Sequence, residues 1–224
     1  MCGRFALDDD GESLQAEFNL PETPYIVARY NIAPTQPVAA VGLSKSGQRG
    51  LTHFHWGLIP SWAKDTKMAG RMINARAETV AEKPAFRAAF KRRRCVIPMT
   101  GFYEWQKRPD GKKQPVYIQP HPESGRKFFG MAGLWENWQS PDGSEIKSCT
   151  ILTTEPNELM ADVHNRMPVI LDPADFDTWM DNEAPLPAVH SLMTQFPAKK
   201  MTYYPVSTYV NSVRNEGPEC IAQV

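Results

Sequence analysis

The distribution of apolar residues along the chain favours short strands joined by turns. Apolar side chains occur in short runs bounded by turn residues, which is typical of strands. The runs that predict strands span 38–43, 51–56, 95–98, 102–106, 116–118, 128–134, 146–153 and 201–206. Between two of them, Pro109-Asp110-Gly111-Lys112 is a strong hairpin-turn sequence.

Two segments have the spacing of helices instead. In each, a proline stands at the start and apolar residues follow at helical intervals. The first spans 84–94, with Phe86, Ala89 and Phe90 on one face; the second begins at the cap Asp172, with Phe176, Trp179 and Met180 on one face. Since the strands mostly succeed one another through turns, we expect an α+β fold. Its mainly antiparallel β core would be barrel-like or two packed twisted sheets, with short helices around it.

Length and composition set the class of protein. The chain has 224 residues, which predicts one domain with a substantial core. Apolar residues make up 42% and charged residues 22%, which excludes wholesale disorder. No apolar run approaches the ~18–20 residues of a membrane helix. The first residues have no apolar signal region. We therefore expect a cytoplasmic protein without membrane contact.

The charges are balanced overall but unevenly distributed. Lys and Arg number 25, as do Asp and Glu, which excludes a uniformly basic nucleic-acid coat. Residues 71–95 nevertheless hold eight basic and two acidic side chains, a balance of +6. Residues 151–190 hold eight acidic side chains against Arg166 alone, a balance of −7. The positive block is either a docking site for a polyanion or a solvated helix face.

The four cysteines are expected to be free thiols. No two of the four cysteines form a CxxC pair, so a zinc knuckle or a thioredoxin-like motif is not predicted. The cysteines are Cys2, Cys95, Cys149 and Cys220. Cys95 and Cys149 lie in apolar strand segments, which predicts that they are buried.

Cys2 has a different chemical context. Removal of Met1 would put an α-amine with a pKa near 7.7–8.0 and a thiol with a pKa of about 8.5 on one residue. This 1,2-aminothiol can form a Schiff base with an aldehyde and close it to a thiazolidine. Alternatively, its thiol can attack an amide, with the amine as base. An accidental cysteine at this position is the third interpretation.

Three polar residues are candidates for acid–base or binding roles: Asn74, Glu104 and His164. Glu104 is flanked by aromatic residues, where desolvation would raise the pKa of a carboxyl and let it shuttle protons. Asn74 follows an apolar pair, and His164 lies in a turn between a short helix and a strand. Structural roles, such as a solvent-facing strand residue for Glu104, remain open for each of them.

Tryptophans near arginines suit unstacked bases and phosphates. Trp62 lies in a loop, and Trp105 follows Glu104 directly, although either could instead belong to the core. His53 and His55 alternate on a strand without a third ligand, so no metal site and no cofactor are predicted.

Several segments together resemble the SOS-response-associated peptidase (SRAP) family, the abasic-site-processing proteins that crosslink to DNA. The matching segments are Met1-Cys2-Gly3-Arg4-Phe5, Arg29-Tyr30-Asn31-Ile32-Ala33-Pro34, Trp56-Gly57-Leu58-Ile59-Pro60-Ser61-Trp62, Ile73-Asn74-Ala75-Arg76-Ala77-Glu78-Thr79, Gly101-Phe102-Tyr103-Glu104-Trp105 and His164-Asn165-Arg166-Met167-Pro168. Val206-Ser207, Val210-Asn211 and Asn215-Glu216-Gly217-Pro218-Glu219 also fit. The resemblance covers a single domain over 2–222. Asn165 departs from the pattern, because an aspartate is frequent there.

The resemblance implies a covalent mechanism on single-stranded DNA. Cys2 would capture the ring-opened aldehyde of an abasic site, with Asn74 holding the sugar or the amine region. Glu104 would serve imine formation and reversal, and His164 would assist ring opening at the deoxyribose oxygen. The implied DNA-binding residues are Arg4, Arg76 and Arg166 at phosphates and Trp62 and Trp105 at bases. We expect a monomer that is associated with the nucleoid when bound to DNA.

Two other functions remain open from the sequence. Glutamine amidotransferases also begin with Cys-Gly after Met, but here Arg4 and Phe5 follow instead of a small apolar strand. A non-catalytic single-strand binder would bind intact and abasic strands alike. The family name also implies a peptidase activity, and Met1 would be removed either by autocleavage or by an aminopeptidase.

Overall fold

The computed structural model describes residues 2–44, 46–140 and 142–224, in which thirteen strands form two sheets. The strands are β1 (Phe5–Leu7), β2 (Arg29–Ile32), β3 (Pro37–Leu43), β4 (Arg49–Trp56), β5 (Asn74–Arg76), β6 (Arg94–Met99), β7 (Gly101–Lys107), β8 (Lys113–Pro120), β9 (Phe129–Gln139), β10 (Glu145–Thr154), β11 (Met167–Pro168), β12 (Ile170–Leu171) and β13 (Met201–Pro205). The smaller sheet has the order β13-β8-β7-β1-β2 and is antiparallel throughout.

The larger sheet has the order β11-β10-β4-β3-β6-β9-β12, with β5 paired to β10. Most of its pairs are antiparallel, but β10 lies parallel to both β4 and β5. Parallel neighbouring strands need a long connection. Here that connection contains β6 to β9, which lie between β5 and β10 in the chain. The expectation of a mainly antiparallel β core is confirmed, with these two parallel pairs as the exception.

Five short helices lie around the sheets in the described residues. They are α1 (Glu12–Phe18), α2 (Arg87–Arg92), α3 (Glu158–Ala161), α4 (Phe176–Met180) and α5 (Leu186–Ser191). Helix α2 is shorter than the predicted 84–94, because the chain leaves helical geometry at Arg93 and enters β6. Asp172 caps a short turn of 3-10 helix through the amide of Ala174, and α4 follows directly. Within the described residues, no helix is long and apolar enough to cross a bilayer.

The inner faces of the two sheets share one apolar core. Phe5 of the smaller sheet lies 5.1 Å from Trp56 of the larger, measured between ring centroids. Phe102 and Phe129 make a second contact between the sheets, at 6.1 Å. Aromatic pairs at these separations add to the stabilisation that burial alone gives. The expected α+β class, with short helices around a β core, is confirmed.

The segment that follows β13 holds the outer side of β1 and β2. The buried side chain of Asn31 donates hydrogen bonds to the carbonyl oxygens of Ser212 at 3.0 Å and Asn215 at 2.7 Å. Arg4 donates to the carbonyl oxygen of Val210 at 2.9 Å. The last residues of the chain are therefore fixed against the strand that begins just after Cys2.

Candidate active site and nucleic-acid groove

Cys2 is fully buried immediately before β1. The backbone of β1 is fixed to β7, because the amide of Tyr103 donates to the carbonyl oxygen of Arg4 at 2.9 Å. Phe5 lies opposite Phe102 in the same ladder. This pairing brings the start of the chain beside the part of β7 that carries Glu104. Met1 lies outside the described residues.

Asn74 joins Cys2 to the second sheet. Asn74 is the first residue of β5, and it pairs with Ile151 of β10. Its side-chain amide donates a hydrogen bond of 2.9 Å to the carbonyl oxygen of Cys2. Its Oδ1 atom is buried and has no hydrogen-bond partner among the described residues. The side chain therefore orients the backbone of Cys2 and keeps one acceptor at the site.

Glu104 is a buried carboxylate near the Cys2 thiol. It is 4% exposed in the middle of β7. Burial raises the pKa of the Cys2 thiol, and the negative charge of Glu104 raises it further. The thiol is therefore protonated at neutral pH. Tyr103 is buried and Trp105 is half-buried, but as the strand neighbours of Glu104 they lie on the opposite face of β7.

His164 lies in a loop that is fixed on two sides. The loop follows α3 and precedes β11, as the sequence predicts. Gln106 of β7 donates to the carbonyl oxygen of Asp162 at 3.1 Å, which holds the loop to the strand of Glu104. The Arg166 amide donates to His164 Nδ1 at 3.0 Å, and this bond orients the imidazole ring.

Arg166 fixes the other side of this loop. Its guanidinium forms a bidentate ion pair with Glu78, at 2.7 and 2.9 Å, and donates to the carbonyl oxygen of Thr153 at 2.6 Å. Glu78 lies two residues after Arg76 at the end of β5. The pair thus connects the His164 loop with the segment that carries Asn74. In this structure Arg166 is already matched by a carboxylate.

A groove of about 550 Å³ begins at Asn74. Trp62, which is 59% exposed, and the exposed Arg76 line it together with Asn74. Upstream of Trp62, Gly57 turns the chain with φ 135° and packs against the backbone of Ala69, where a Cβ would approach the carbonyl oxygen to 2.5 Å. Sequence reasoning thus named three of the residues that the structure brings together here.

Arg4 and Trp105 lie elsewhere, against the C-terminal segment. The Arg4 guanidinium is 5.8 Å from the centroid of the Trp105 ring and donates to Asn31 Oδ1 at 2.7 Å. The indole of Trp105 donates to Asn211 Oδ1 at 2.8 Å. Neither side chain lines the groove of Asn74 and Trp62. Both side chains donate to the segment after β13, Arg4 to Val210 and Trp105 to Asn211.

Sequence reasoning missed several residues at the site. Lys83 and Phe86 line the groove, and Glu78 pairs with Arg166. The signal for Lys83 was its place in the positive block, just before Pro84. Glu78 and Arg166 are opposite charges in two separate motifs, which could have indicated the pair. Among the described residues no group of His, Cys, Asp or Glu is placed to hold a metal ion.

The fold and the site together define a class of mainly antiparallel α+β proteins with a cysteine at the first strand, beside a basic groove. The family model described as "SOS response associated peptidase (SRAP)" matches residues 1–213. The chain belongs to this SRAP family.

The curated relatives and a solved structure agree with the assignment. The chain is 42% identical over 226 residues to the abasic site processing protein YoqW of Bacillus subtilis (strain 168), and 99% of each chain is covered. It is 38% identical over 199 residues to the abasic site processing protein HMCES of Xenopus tropicalis, covering 80% of this chain and 59% of that one. A crystal structure of a Bacteroides thetaiotaomicron protein has a TM-score of 0.88 at 24% identity, over all of both chains, and shares the fold.

Proposed function

We propose that this protein recognises abasic sites in single-stranded DNA and becomes covalently attached to them through Cys2. Removal of Met1 would leave Cys2 with a free α-amine. The protein would act as a monomer in the cytoplasm, on DNA of the nucleoid, and the adduct would shield the lesion. The observation that carries the proposal is the position of Asn74, which bonds to Cys2 and also lines the groove of Trp62 and Arg76.

The state of the thiol supports an order of steps. Burial and the charge of Glu104 raise the thiol pKa, so we expect the α-amine to be the first nucleophile once Met1 is removed. The amine attacks the aldehyde carbon of the ring-opened sugar, and loss of one water gives an imine. The thiol sulfur then adds to the imine carbon, and its proton passes to the nitrogen to complete the thiazolidine. No oxidant or reductant is needed.

The site residues have separate roles in this scheme. Glu104 would carry protons to the departing water and back during reversal. His164 would position or protonate the deoxyribose oxygen during ring opening. Asn74 would hold the reacting residue in place. These roles are those of a lyase-like Schiff-base reaction.

Recognition would depend on charge and shape, because an abasic site has no base to read. Arg76 and Lys83 are exposed along the groove and could contact phosphates. Trp62 would stack on a base next to the lesion. Arg166 would contribute after exchange of its Glu78 partner. Arg4 and Trp105 would act through the placement of β1 and β7, since their polar groups bond within the protein.

Denaturing electrophoresis with an abasic oligonucleotide tests the proposal. The processed protein should give a heat-stable shifted band, and Cys2→Ala should abolish that band. Cys2→Ser keeps the amine but lacks the thiol, so we expect a band only after borohydride reduction of the imine. Cys220→Ala is the matched control and should retain the adduct. An undiminished band with Cys2→Ala would contradict the proposal.

The same site would also remove Met1 by autocleavage. Glu104 and His164 would then act as proton carriers in hydrolysis of the Met1–Cys2 bond. Mass spectrometry of Glu104→Ala and His164→Ala proteins distinguishes the two routes, because full processing of Met1 in both variants indicates an external aminopeptidase. The amidotransferase alternative predicts ammonia release from glutamine, which our proposal does not.

A further inference from the structure

Helix α2 presents a basic face that the proposed abasic-site chemistry does not use. Its buried side is formed by Ala89 and Phe90, and its outer side carries the exposed Arg87, Lys91 and Arg92. No carboxylate of the described residues lies within 4.0 Å of the charged atoms of these three side chains. We call Arg87, Lys91 and Arg92, together with the exposed Lys147 of β10, the α2 basic face.

Three arginines near the α2 basic face, in contrast to its own side chains, have partners among the described residues. Arg93 pairs with Glu136 at 2.6 Å, and Arg49 pairs with Asp177 at 2.8 Å. Buried Arg94 donates to backbone carbonyls. Of the eight basic side chains in 71–95, the six besides Arg93 and Arg94 make no ion pair among the described residues, and five of these six lie on α2 or in the groove before it.

Helix stability does not explain this arrangement. Cations in the last turn favour the helix dipole, which accounts for Lys91 and Arg92. Arg87 is the first residue of α2, where a cation opposes the dipole. Arg87 and Lys91 are also four residues apart, so like charges face each other on the helix surface. A negatively charged ligand would relieve both the unfavourable position of Arg87 at the start of the helix and the repulsion between Arg87 and Lys91.

The shape around the face suits a nucleic-acid strand. A hollow of about 320 Å³ is lined by Arg87, Ala88 and the three basic residues that follow Phe90. Arg92 also lines a second hollow of about 460 Å³, which contains Lys147 and the stacked rings of Phe54 and Trp135. Cations beside an aromatic floor are the combination that binds a phosphate and an unstacked base.

Helix α2 begins directly after the chain segment that lines the groove of the candidate active site. Phe86 lines that groove, and Arg87 is the next residue in the chain. A six-residue helix is about 9 Å long, roughly two or three phosphate steps of one strand.

We propose that the α2 basic face binds the DNA strand that flanks the lesion on one side. This proposal rests on the proposed function for the lesion itself, but its binding measurement does not. An acidic protein segment would be the competing occupant.

Salt-dependent binding of intact single strands tests the inference without any covalent step. The Cys2→Ala background removes adduct formation, and fluorescence anisotropy gives the binding constant at several salt concentrations. We expect Arg87→Gln/Lys91→Gln/Arg92→Gln to reduce the slope of log K against log salt by about 2, from about 0.7 per lost phosphate contact. Lys107→Gln/Lys112→Gln/Lys113→Gln is the matched control at an exposed hairpin, and thermal melting confirms that both triple variants are folded.

Abasic oligonucleotides extended on only the 5′ or only the 3′ side then locate the contact. The wild type should gain crosslinking rate from one extension, and the α2 triple variant should lose most of that gain. An unchanged salt slope in the α2 variant, or equal losses in both triple variants, overturns the inference. Stronger binding of polyglutamate than of DNA at equal charge also overturns it. Absence of any adduct in the wild type instead refutes the proposed function and leaves the salt slopes interpretable.

Discussion

The side chain of Asn74 donates a 2.9 Å hydrogen bond to the carbonyl oxygen of Cys2. The two residues are far apart in the chain and lie at different sheets, since Cys2 is three residues before β1 of the smaller sheet and Asn74 begins β5 of the larger one. The bond therefore fixes the candidate nucleophile of one sheet relative to the groove beside the other. Its loss should affect the reaction more than the fold.

Replacement of Asn74 by Ala should slow adduct formation. One hydrogen bond is worth about 1 kcal/mol, which corresponds to roughly a five-fold lower single-turnover rate. Asn74→Asp should be slower still, because a carboxylate oxygen would face the Cys2 carbonyl oxygen. Gln119→Ala, an amide on β8 outside the site, is the control and should react at the wild-type rate. An Asn74→Ala rate equal to the wild type would show that the bond is incidental.

Replacement of Glu104 by Gln should change two measurements in opposite directions. Burial raises the pKa of the Cys2 thiol first, and the Glu104 charge raises it further, so removal of the charge lowers that pKa. Alkylation of Cys2 by iodoacetamide should therefore become faster at a given pH. Adduct formation should slow by about 10²–10⁴-fold, because the proton carrier is lost. Cys220 in the same protein is the internal control, and slower alkylation of Cys2 would contradict the assigned electrostatics.

The sequence pattern predicted the positions of the strands and helices better than it predicted which strands pair. The alternation and turn signals located β7 and β8, and the hairpin between them is present. The parallel pairing of β10 with β4 and β5 was not predictable, because it depends on which edge remains open after the intervening chain has folded. The helical period around Phe90 was correct, but tertiary packing and the start of β6 ended α2 early.

The candidate site was predictable in its chemistry and less so in its contacts. Motif resemblance identified Cys2, Asn74 and Glu104, which the structure brings together. Charge counting could not separate Arg76, which is exposed in the groove, from Arg94, which is buried. The sequence does not distinguish an arginine that donates to backbone carbonyls in the core from an exposed arginine that can bind an anion.

Replacement of Glu78 by Gln should strengthen non-covalent binding of single-stranded DNA. The hydrogen-bonded Arg166 guanidinium holds the pKa of Glu78 below its usual value, so Glu78 is charged at neutral pH and repels phosphate. The variant leaves Arg166 without that partner, and the affinity should rise by up to about five-fold, the range of an exposed ion pair. Anisotropy with an intact oligonucleotide measures it, with the exposed Glu82→Gln as control. Weaker binding by Glu78→Gln than by Glu82→Gln would show that the pair positions Arg166 for DNA.

Replacement of Arg94 by Lys should destabilise the fold. Arg94 is 2% exposed and donates to the carbonyl oxygens of Phe90 at 2.6 Å and Trp179 at 2.5 Å, which ties the end of α2 to α4. A lysine cannot reach both, and an unsatisfied buried carbonyl costs about 1–3 kcal/mol. For a chain of this size we expect Tm to fall by about 2–4 °C per kcal/mol. Arg92→Lys is the exposed control, and equal Tm values for the two variants would contradict the role.

Replacement of Asp9 by Asn should remove part of the acid sensitivity of the protein. Burial acts to raise the pKa of Asp9, but Lys127 at 2.6 Å and the Gly11 amide at 2.7 Å outweigh it, so the pKa is lowered from 3.8. A lowered folded pKa gives stability that is fully present above about pH 4 and is lost as the pH falls through the folded value. At neutral pH, Asp9→Asn should therefore unfold in urea with a free energy lower by about 1–3 kcal/mol.

That difference should shrink below pH 4, since the wild-type carboxylate becomes protonated and resembles the variant. The measurement is the urea unfolding free energy of both proteins across pH 2–7. The neighbouring Asp10 is exposed and makes no ion pair among the described residues. Its variant Asp10→Asn is the control, and its unfolding free energy should follow that of the wild type across the pH range. If the gap between Asp9→Asn and the wild type stayed constant down to pH 2, the stabilisation would come from hydrogen-bond geometry at Gly11 and not from the charge of Asp9.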